Sequence, residues 1–442
     1  MKIRGLIVAA LVFLILGGIL YWSDRQKPAD DKASADASPA ILKVDASGVT
    51  KLDLKKRGAT PIVLTKSDSG KWEIIQPQPF GADQSVVSGM LSRLSSLNSE
   101  RVVEDKASDV SRYGLNPPVL QLDLTEKDNK TRELLIGDDT PTGSAAYAML
   151  AGDPRVFTMP AYAKVSVDKS LNDLRDKRLL TVNADKISRL ELIRKNQDIE
   201  FGRNKDDWQI LKPKPLRADS SQVSELVRKL TDARMDLSSN DPKEAATAFA
   251  QAAPFASAKL TDESGIQELQ VRKKNVGTSG EAYYAKSSAV EGVYRINSDV
   301  GQALNKTLDD FRNKKLLDFG FVDPNKIELH FGTKSYFLVR SGDDWWWNGK
   351  KMDAGTVQSL ISDLRDLSSD RFPDSGFANP TIDVTVISGD GKRIERVLIA
   401  KSGNGYVAKR ENEPALYQLN SSSVDDLQKA ADAIKPAATA TK

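Results

Sequence analysis

The chain has 442 residues, about three times the length of an ordinary domain. Charged residues make up 28% of it and nearly cancel, leaving a formal net charge of +3 at pH 7. Nucleic acid is therefore not an expected partner, since its binding needs a strongly basic surface. The lack of cysteine excludes disulfides, thiolate nucleophiles and cysteine-ligated metals, but it leaves the redox compartment open.

The first segment of the chain is apolar from Ile3 to Trp22, with Arg4 as its only charge. Twenty helical residues span about 30 Å, the thickness of one hydrocarbon core. Lys2 and Arg4 favour a cytoplasmic location for the short N-terminal end. Residues 1–22 are therefore predicted to form a single-pass anchor in the inner membrane, with the bulk of the chain in the periplasm. The alternative is a signal peptide cleaved within the small-residue stretch "DKASADASPA".

A polar segment follows the predicted anchor, rich in Ala, Ser, Asp and Lys and without aromatic residues. This composition is typical of disorder, so residues 23–43 are predicted to form a flexible linker. The stretch from Ser23 to Ala40 would average about 25 Å from end to end, and would reach about 60 Å when fully extended. The first folded part is therefore expected close to the outer face of the inner membrane.

Two motifs of the remaining chain each occur twice. "KWEIIQPQPFGAD" (Lys71 to Asp83) returns as "DWQILKPKPLRAD" (Asp207 to Asp219), and "LNDLRDKRLL" (Leu171 to Leu180) returns as "LDDFRNKKLL" (Leu308 to Leu317). The second motif recurs 137 positions later, and nearly the same shift aligns the first. Such a period indicates internal duplication.

Three tryptophans follow the same period, with Trp72 and Trp208 136 positions apart and Trp345 a further 137 positions on. We expect them at equivalent core positions. The motifs predict three repeats, at residues 44–180, 181–317 and 318–436, followed by a disordered tail at 437–442.

The elements of each repeat can be predicted from periodicity. Alternating segments indicate a strand meander, helical spacing after the Ala-Asp pair indicates a helix capped by Asp83 or Asp219, and hairpin strands with a terminal helix follow. The predicted fold class is therefore α+β, with three tandem strand-rich repeats after an N-terminal transmembrane helix.

Residues that could carry chemistry are few. His330 is the only histidine, so any catalytic triad or histidine metal site would need it, and the matched positions hold Lys55 and Ile193. The strand carboxylates Asp53, Glu191 and Glu328 fall in separate repeats, where they would not converge as a catalytic pair. We therefore predict no catalytic, cofactor-binding or metal-binding residues and no cofactor.

The run "WWW" (Trp345 to Trp347) contains the one candidate ligand contact. Trp345 matches the two earlier tryptophans and is expected in the core. Trp346 takes the place of Glu73 and Gln209, so it is predicted on the polar face of its strand. An exposed indole there could stack on a sugar or a peptide.

The "LRDKRLL" motif occurs only in the repeats that another repeat follows. The last repeat has "SVDDLQKAADAIK" (Ser423 to Lys435) at the same place, without the basic pair. A ligand site would be expected in all three repeats, whereas a joint is needed only twice. We therefore predict that the motif joins each repeat to the next.

The repeated W-x-I, P-x-P, A-D and "LRDKRLL" elements, with "YGLNPP" (Tyr113 to Pro118) in the first repeat, resemble the bacterial family catalogued as domain of unknown function 4340. The resemblance covers Val44 to Pro436, although the second repeat has "FAQAAP" and the third "GFANP" in place of "YGLNPP". It implies a membrane-anchored partner of ABC-type export systems related to gliding-motility transporters. The family supplies no catalytic residues to carry over.

Two functions are left as hypotheses. The first is a non-enzymatic, inner-membrane-anchored periplasmic accessory or scaffold protein, with an ABC-type permease or another envelope membrane protein as partner. The alternative is a periplasmic enzyme or a glycan- or peptide-binding protein that uses a groove between repeats.

Overall fold

The computed structural model describes residues 40–205, 207–238, 242–277, 280–369 and 371–438. The chain forms two compact units, an N-terminal unit that ends at Asp176 and a C-terminal unit that begins at Lys177. The predicted anchor at 1–22, the predicted linker up to residue 39 and the end of the predicted tail lie outside the described residues. Across the described ranges, no helix has the length and apolar character needed to cross a membrane.

The N-terminal unit is built on one antiparallel sheet of nine strands. Its strands are β1 (Val49–Lys56), β2 (Ile62–Lys66), β3 (Trp72–Gln76), β4 (Phe80–Gly81), β5 (Arg101–Glu104), β6 (Leu120–Glu126), β7 (Thr131–Asp139), β8 (Ala145–Leu150) and β9 (Val156–Pro160). Its helices are α1 (Gln84–Ser95), α2 (Ala161–Val167) and α3 (Leu171–Leu174). The strand order across this first sheet is β4-β3-β2-β1-β6-β7-β8-β9-β5.

The C-terminal unit contains a second and a third sheet of eight strands each. The second sheet has β10 (Arg189–Arg194), β11 (Gln197–Asn204), β12 (Asp207–Lys212), β13 (Leu216–Arg217), β14 (Ala253–Asp262), β15 (Gly265–Asn275), β16 (Glu281–Ser287) and β17 (Val293–Ile296), with helices α4 (Ser220–Thr231), α5 (Pro242–Gln251), α6 (Ser298–Leu304) and α7 (Leu308–Phe311). The third has β18 (Lys326–Phe331), β19 (Lys334–Ser341), β20 (Asp344–Trp347), β21 (Lys350–Lys351), β22 (Ile382–Ser388), β23 (Arg393–Ser402), β24 (Gly405–Arg410) and β25 (Leu416–Leu419), with helices α8 (Ala354–Asp366) and α9 (Ser421–Asp432).

All three sheets share one plan. A first meander of four strands is followed by a helix and then by a second meander, and the first strands of the two meanders pair with each other as β1 with β6, β10 with β14 and β18 with β22. The predicted strand-rich α+β class is therefore confirmed. The predicted repeat boundaries stay a prediction, since the second and third sheets share one continuous cluster of buried side chains.

Each first meander carries its tryptophan on the third strand. Trp72, Trp208 and Trp345 are all buried. Each is directly opposite a basic residue of the second strand: Lys66, Arg203 and Arg340. The same strand position in three sheets gives the same burial, because alternation sends every second side chain to the helix-covered face.

The helix after each first meander begins at an aspartate cap. Asp83 accepts hydrogen bonds from the N–H groups of Ser85 and Val86, and Asp219 does the same for Ser221 and Gln222. In the third sheet Asp353 accepts from the N–H of Thr356. These carboxylates satisfy N–H groups that a helix leaves without intrahelical partners, so their role is structural.

The first described residues include the end of the predicted linker. Ile41 donates its N–H to the carbonyl of Leu97, and both Ile41 and Leu42 are buried in the core of the N-terminal unit. These two residues fall within the predicted linker of residues 23–43, after the end of the polar stretch at Ala40. At the other end, Ala437 of the predicted tail donates its N–H to the carbonyl of Lys351 at 3.0 Å.

Candidate functional site

Trp346, the predicted ligand contact, lies on β20 with 39% of its surface exposed, whereas its neighbour Trp345 is buried. Two apolar residues of β19 are exposed on the same side of the strand pair. Val339, 45% exposed, is the cross-strand partner of Trp346, and Phe337, 42% exposed, is two residues before it. We call Trp346, Val339 and Phe337 the Trp346 patch.

The second sheet has no such patch at the matched positions. The residues 137 positions earlier are Gln209, Gly202 and Glu200, which occupy the same places in the strand pairing. The apolar character of the Trp346 patch is therefore a property of the third sheet and is not required by the shared fold.

Glu200, which takes the place of Phe337 in the second sheet, forms ion pairs there. Its carboxylate lies 2.6 Å from the Arg189 guanidinium and 2.8 Å from the Lys212 ammonium, and it is nearly buried. The hydrogen bond from Lys212, supported by Arg189, holds the pKa of Glu200 below its usual value, although burial acts in the opposite direction. A charge neutralised in this way has a structural role.

His330 lies beside the Trp346 patch on β18. Its Nδ1 is 2.8 Å from Ser335 Oγ, and its ring meets the ring of Phe337 edge-on at 5.4 Å. Asp383 is directly opposite His330 on β22, which brings a serine, a histidine and an aspartate close together. However, both Asp383 oxygens accept hydrogen bonds from the Arg396 guanidinium, at 2.7 to 3.2 Å. Asp383 is thus bound to a cation instead of orienting the imidazole, as a catalytic triad would require.

The strand carboxylates Asp53, Glu191 and Glu328 lie on the first strands of three different sheets. Within the described ranges, no group of three or more His, Asp or Glu side chains is placed to hold a metal ion.

A cleft in the N-terminal unit was not predicted from the sequence. It has a volume of about 210 Å³ and lies between the end of α1 and the start of α2. Arg93 stacks over the exposed ring of Tyr162 at 5.3 Å, and Asn98 and Glu100 contribute polar groups. The cleft is smaller than the usual site for a drug-sized ligand, and no reaction is indicated by its residues.

The sequence profile of one family matches the chain twice, at residues 72–215 and 208–381, and together these matches cover more than half of the chain. The chain belongs to the family described as Domain of unknown function (DUF4340). Neither a curated protein nor a solved structure matches it significantly.

The two DUF4340 matches each begin at the tryptophan of a third strand, Trp72 or Trp208. Each match therefore runs from one sheet into the next, and it contains one copy of the "LRDKRLL" motif. The segment between sheets is thus part of what defines DUF4340.

In the C-terminal unit, the second copy of this motif connects the second sheet to the third. Arg312 is nearly buried, with its guanidinium 3.4 Å from the ring centre of Phe372. Leu316 donates its N–H to the carbonyl of Leu367, and the carbonyl of Lys314 accepts from the N–H of Ser369. Such contacts are expected if the motif joins the second sheet to the third, as the sequence analysis predicts.

A cluster of charges that the sequence analysis missed surrounds this connection. We call its members, Arg217, Asp318, Glu395, Arg410 and Glu413, the charged joint. Arg410 contacts Glu395 at 3.0 Å and Glu413 at 2.8 Å, while Arg217 of the second sheet lies 3.5 Å from Asp318 and 3.7 Å from Glu413. Burial lowers the pKa of Arg410, but Glu413 and Glu395 outweigh it, so the net shift is upward. The sequence gives no signal for the cluster, because its members are far apart in the chain and are brought together only by the strand pairing.

Proposed function

We propose that this DUF4340 protein is a non-enzymatic accessory or scaffold protein of the inner membrane, extending into the periplasm from its anchor and holding a membrane protein partner. An ABC-type permease is the proposed partner. The observation that carries the proposal is the Trp346 patch. Exposed apolar clusters on a protein surface are typical of interaction sites, and aromatic residues are enriched in the centres of interfaces.

The difference between the second and third sheets supports the proposal. The same strand pairing is formed with Glu200 and Gln209 in the second sheet and with Phe337 and Trp346 in the third. An exposed apolar face lowers solubility, and the fold does not require this one. Its presence therefore indicates that another molecule covers it.

The test is recovery of a partner from native membranes through a C-terminal tag on the full chain. The variant Trp346→Gln/Val339→Thr places on the third sheet residues found at the matched positions of the other sheets, Gln209 and Thr65. We expect the wild-type chain to recover components of an ABC-type transporter and the variant to recover at least tenfold less. Ile266→Ser, at an exposed apolar residue of the second sheet, is the control and should leave the recovery unchanged.

A second variant tests the anchor, with residues 1–40 replaced by a cleavable secretion signal. We expect this released form to complement a deletion strain poorly. If it complements fully while no membrane protein is recovered with the anchored chain, the scaffold proposal fails. Binding of isolated cell-wall glycan fragments that is abolished by Trp346→Gln would then favour the glycan-binding alternative.

A further inference from the structure

The turn that leads into the third sheet exposes two apolar side chains. Phe321 is 95% exposed and Val322 is 75% exposed, whereas Phe319 and Pro324 on either side are buried. Gly320, with φ of +72°, reverses the chain between the buried and the exposed phenylalanine. We call Phe321 and Val322 the apolar tip.

Arg365 of α8 holds the backbone of the apolar tip in place. Its Nε donates to the carbonyl of Gly320 at 2.9 Å, and its Nη2 donates to the carbonyl of Phe321 at 3.4 Å and to Asp323 at 3.2 Å. The guanidinium also lies 5.3 Å from the ring centre of Phe319. The exposed side chains are therefore presented on a fixed backbone.

The matched turns of the other two sheets are built differently. In the first sheet Asp45 accepts from the N–H of Ser47 at 2.9 Å, and in the second Asn183 accepts from the N–H of Asp185 at 3.1 Å. Each of these two turns has an alanine at the position of Phe321, namely Ala46 or Ala184. A small, polar turn stabilised by its own side chain is thus sufficient for the fold.

The residue that matches Arg365 also has a different role. Arg228, 137 positions earlier, pairs with Glu225 at 2.7 Å and Asp232 at 3.4 Å on its own helix. The third sheet therefore differs both in the residues of the apolar tip and in the arginine that supports it. The two apolar side chains of the tip themselves stay exposed, so they bury little apolar surface within the chain.

We infer that the apolar tip inserts into an apolar pocket on a protein partner; this inference rests on the proposed scaffold function and names the contact chemistry. A convex tip is covered only by a surface that encloses it, and a fixed backbone lowers the entropy lost on binding. Three cations near the tip are paired with carboxylates: Arg365 with Asp323, Arg393 with Asp318 and Lys326 with Glu328. This balance matches a neutral pocket better than an anionic lipid surface, which attracts unpaired cations.

The first experiment places the photoreactive residue p-benzoylphenylalanine at position 321 of the full chain in native membranes. The matched control carries it at position 184 of the second sheet. We expect an adduct with one protein from position 321 and none from position 184. Adducts only with lipid, only with a second copy of the chain, or equal from both positions would overturn the inference, as would the absence of any adduct.

The second experiment uses the variant Phe321→Ala/Val322→Asp, which transfers the matched residues Ala184 and Asp185 to the third sheet and leaves Arg365 in place. We expect an unchanged circular dichroism spectrum and unfolding midpoint, and at least a tenfold loss of the protein that was cross-linked from position 321. Recovery equal to that of the wild-type chain would overturn the inference.

The two proposals can fail separately. If a membrane protein is recovered through the Trp346 patch but is indifferent to Phe321→Ala/Val322→Asp, the scaffold function stands and the apolar-tip inference fails. If position 321 cross-links a soluble envelope protein that depends on the tip, the inference stands and the membrane scaffold function fails.

Discussion

The segment that precedes the second sheet and the segment that precedes the third are each bound to their sheet by hydrogen bonds. The backbone groups of the two segments that form these bonds are the same, but the side chains of the sheets that bond to them differ. In the second sheet, Ser287 donates to the carbonyl of Leu179, and Gln267 accepts from the N–H of Thr181 at 2.8 Å. In the third, Arg410 donates to the carbonyl of Leu316, and Glu395 accepts from the N–H of Asp318 at 3.1 Å. Leu316 and Asp318 follow Leu179 and Thr181 by 137 positions.

The same backbone groups are therefore hydrogen-bonded in both sheets, but the side chains that bond to them are neutral in the second sheet and charged in the third. Buried charges lose hydration, so they contribute to stability only when every partner is in place. Glu395 is only 5% exposed and depends on Arg410 and Arg393 for neutralisation. We therefore expect the third sheet to be more sensitive than the second to single substitutions at these positions.

The largest expected effect tests what the two sheets share. Trp208→Ala and Trp345→Ala should each lower the free energy of unfolding of the C-terminal unit by about 3 to 5 kcal/mol, because each removes a buried indole from an equivalent position. Urea unfolding followed by circular dichroism measures both. Trp346→Ala, which removes an exposed indole from the next position, should change stability by only about 0.5 kcal/mol. A large difference between the two core variants would mean that the sheets are not equivalent.

The next prediction tests how the sheets differ. Arg410→Ser should lower the free energy of unfolding by about 3 kcal/mol, because it leaves Glu395 buried with one of its cations missing. The matched variant of the second sheet, Ser287→Ala, removes a neutral hydrogen bond and should cost about 1 kcal/mol.

The double variant Glu395→Gln/Arg410→Ser installs both neutral residues of the second sheet in the third. It should be more stable than Arg410→Ser alone, because it no longer contains the uncompensated carboxylate. Additive costs in this double-mutant cycle would contradict the idea that Glu395 and Arg410 form one unit.

Alkaline pH provides a third test, through Tyr417. Burial first, and then the charge of Glu413 and its hydrogen bond with the phenol, raise the pKa of Tyr417 to about 12. The folded pKa lies above the unfolded value of about 10, so the resulting stability is complete below pH 10 and is lost as pH rises toward 12.

At pH 11 the wild-type chain should have lost about 1.4 kcal/mol through this group relative to pH 8. Tyr417→Phe should remove that part of the loss, as measured by urea unfolding of both chains at the two pH values. The same loss in both chains would show that Tyr417 does not titrate in this way.

The sequence predicted the parts of the fold that depend on short-range pattern. The alternation in "KIELHF", the aspartate caps and the positions of Trp72, Trp208 and Trp345 all follow from residues close together in the chain. Exposure of Trp346 was predicted by the same reasoning, whereas its contact with a ligand stays a prediction.

The charged joint could not be predicted in this way. The second sheet has α5 in the connection to its second meander and the third sheet has no matching helix, so Leu260 and Val386, at matched places of β14 and β22, are only 126 positions apart. With further differences in hairpin length, Glu395 corresponds to Gln267 and Arg410 to Ser287 at shifts of 128 and 123 positions. The period of 137 does not align them, and only the strand register does. The apolar tip was missed for a related reason, since "DFGFVD" does not reveal which of its phenylalanines is buried.

The smallest expected effect concerns Arg217, the residue of the second sheet that reaches the charged joint of the third. Its Nη1 donates to the carbonyl of Lys315 at 2.9 Å, but Asp318 and Glu413 lie 3.5 and 3.7 Å away, beyond ordinary hydrogen-bond distance. Its contribution should therefore be mainly one hydrogen bond and a screened attraction. Arg217→Gln should cost about 1 kcal/mol in low salt, and the cost should fall at high ionic strength as the charges are screened. Urea unfolding at two salt concentrations measures this difference. A cost that does not depend on salt would show that Arg217 acts through its hydrogen bond and its packing, not through its attraction to Asp318 and Glu413, and would limit the charged joint to Glu395, Arg410 and Glu413.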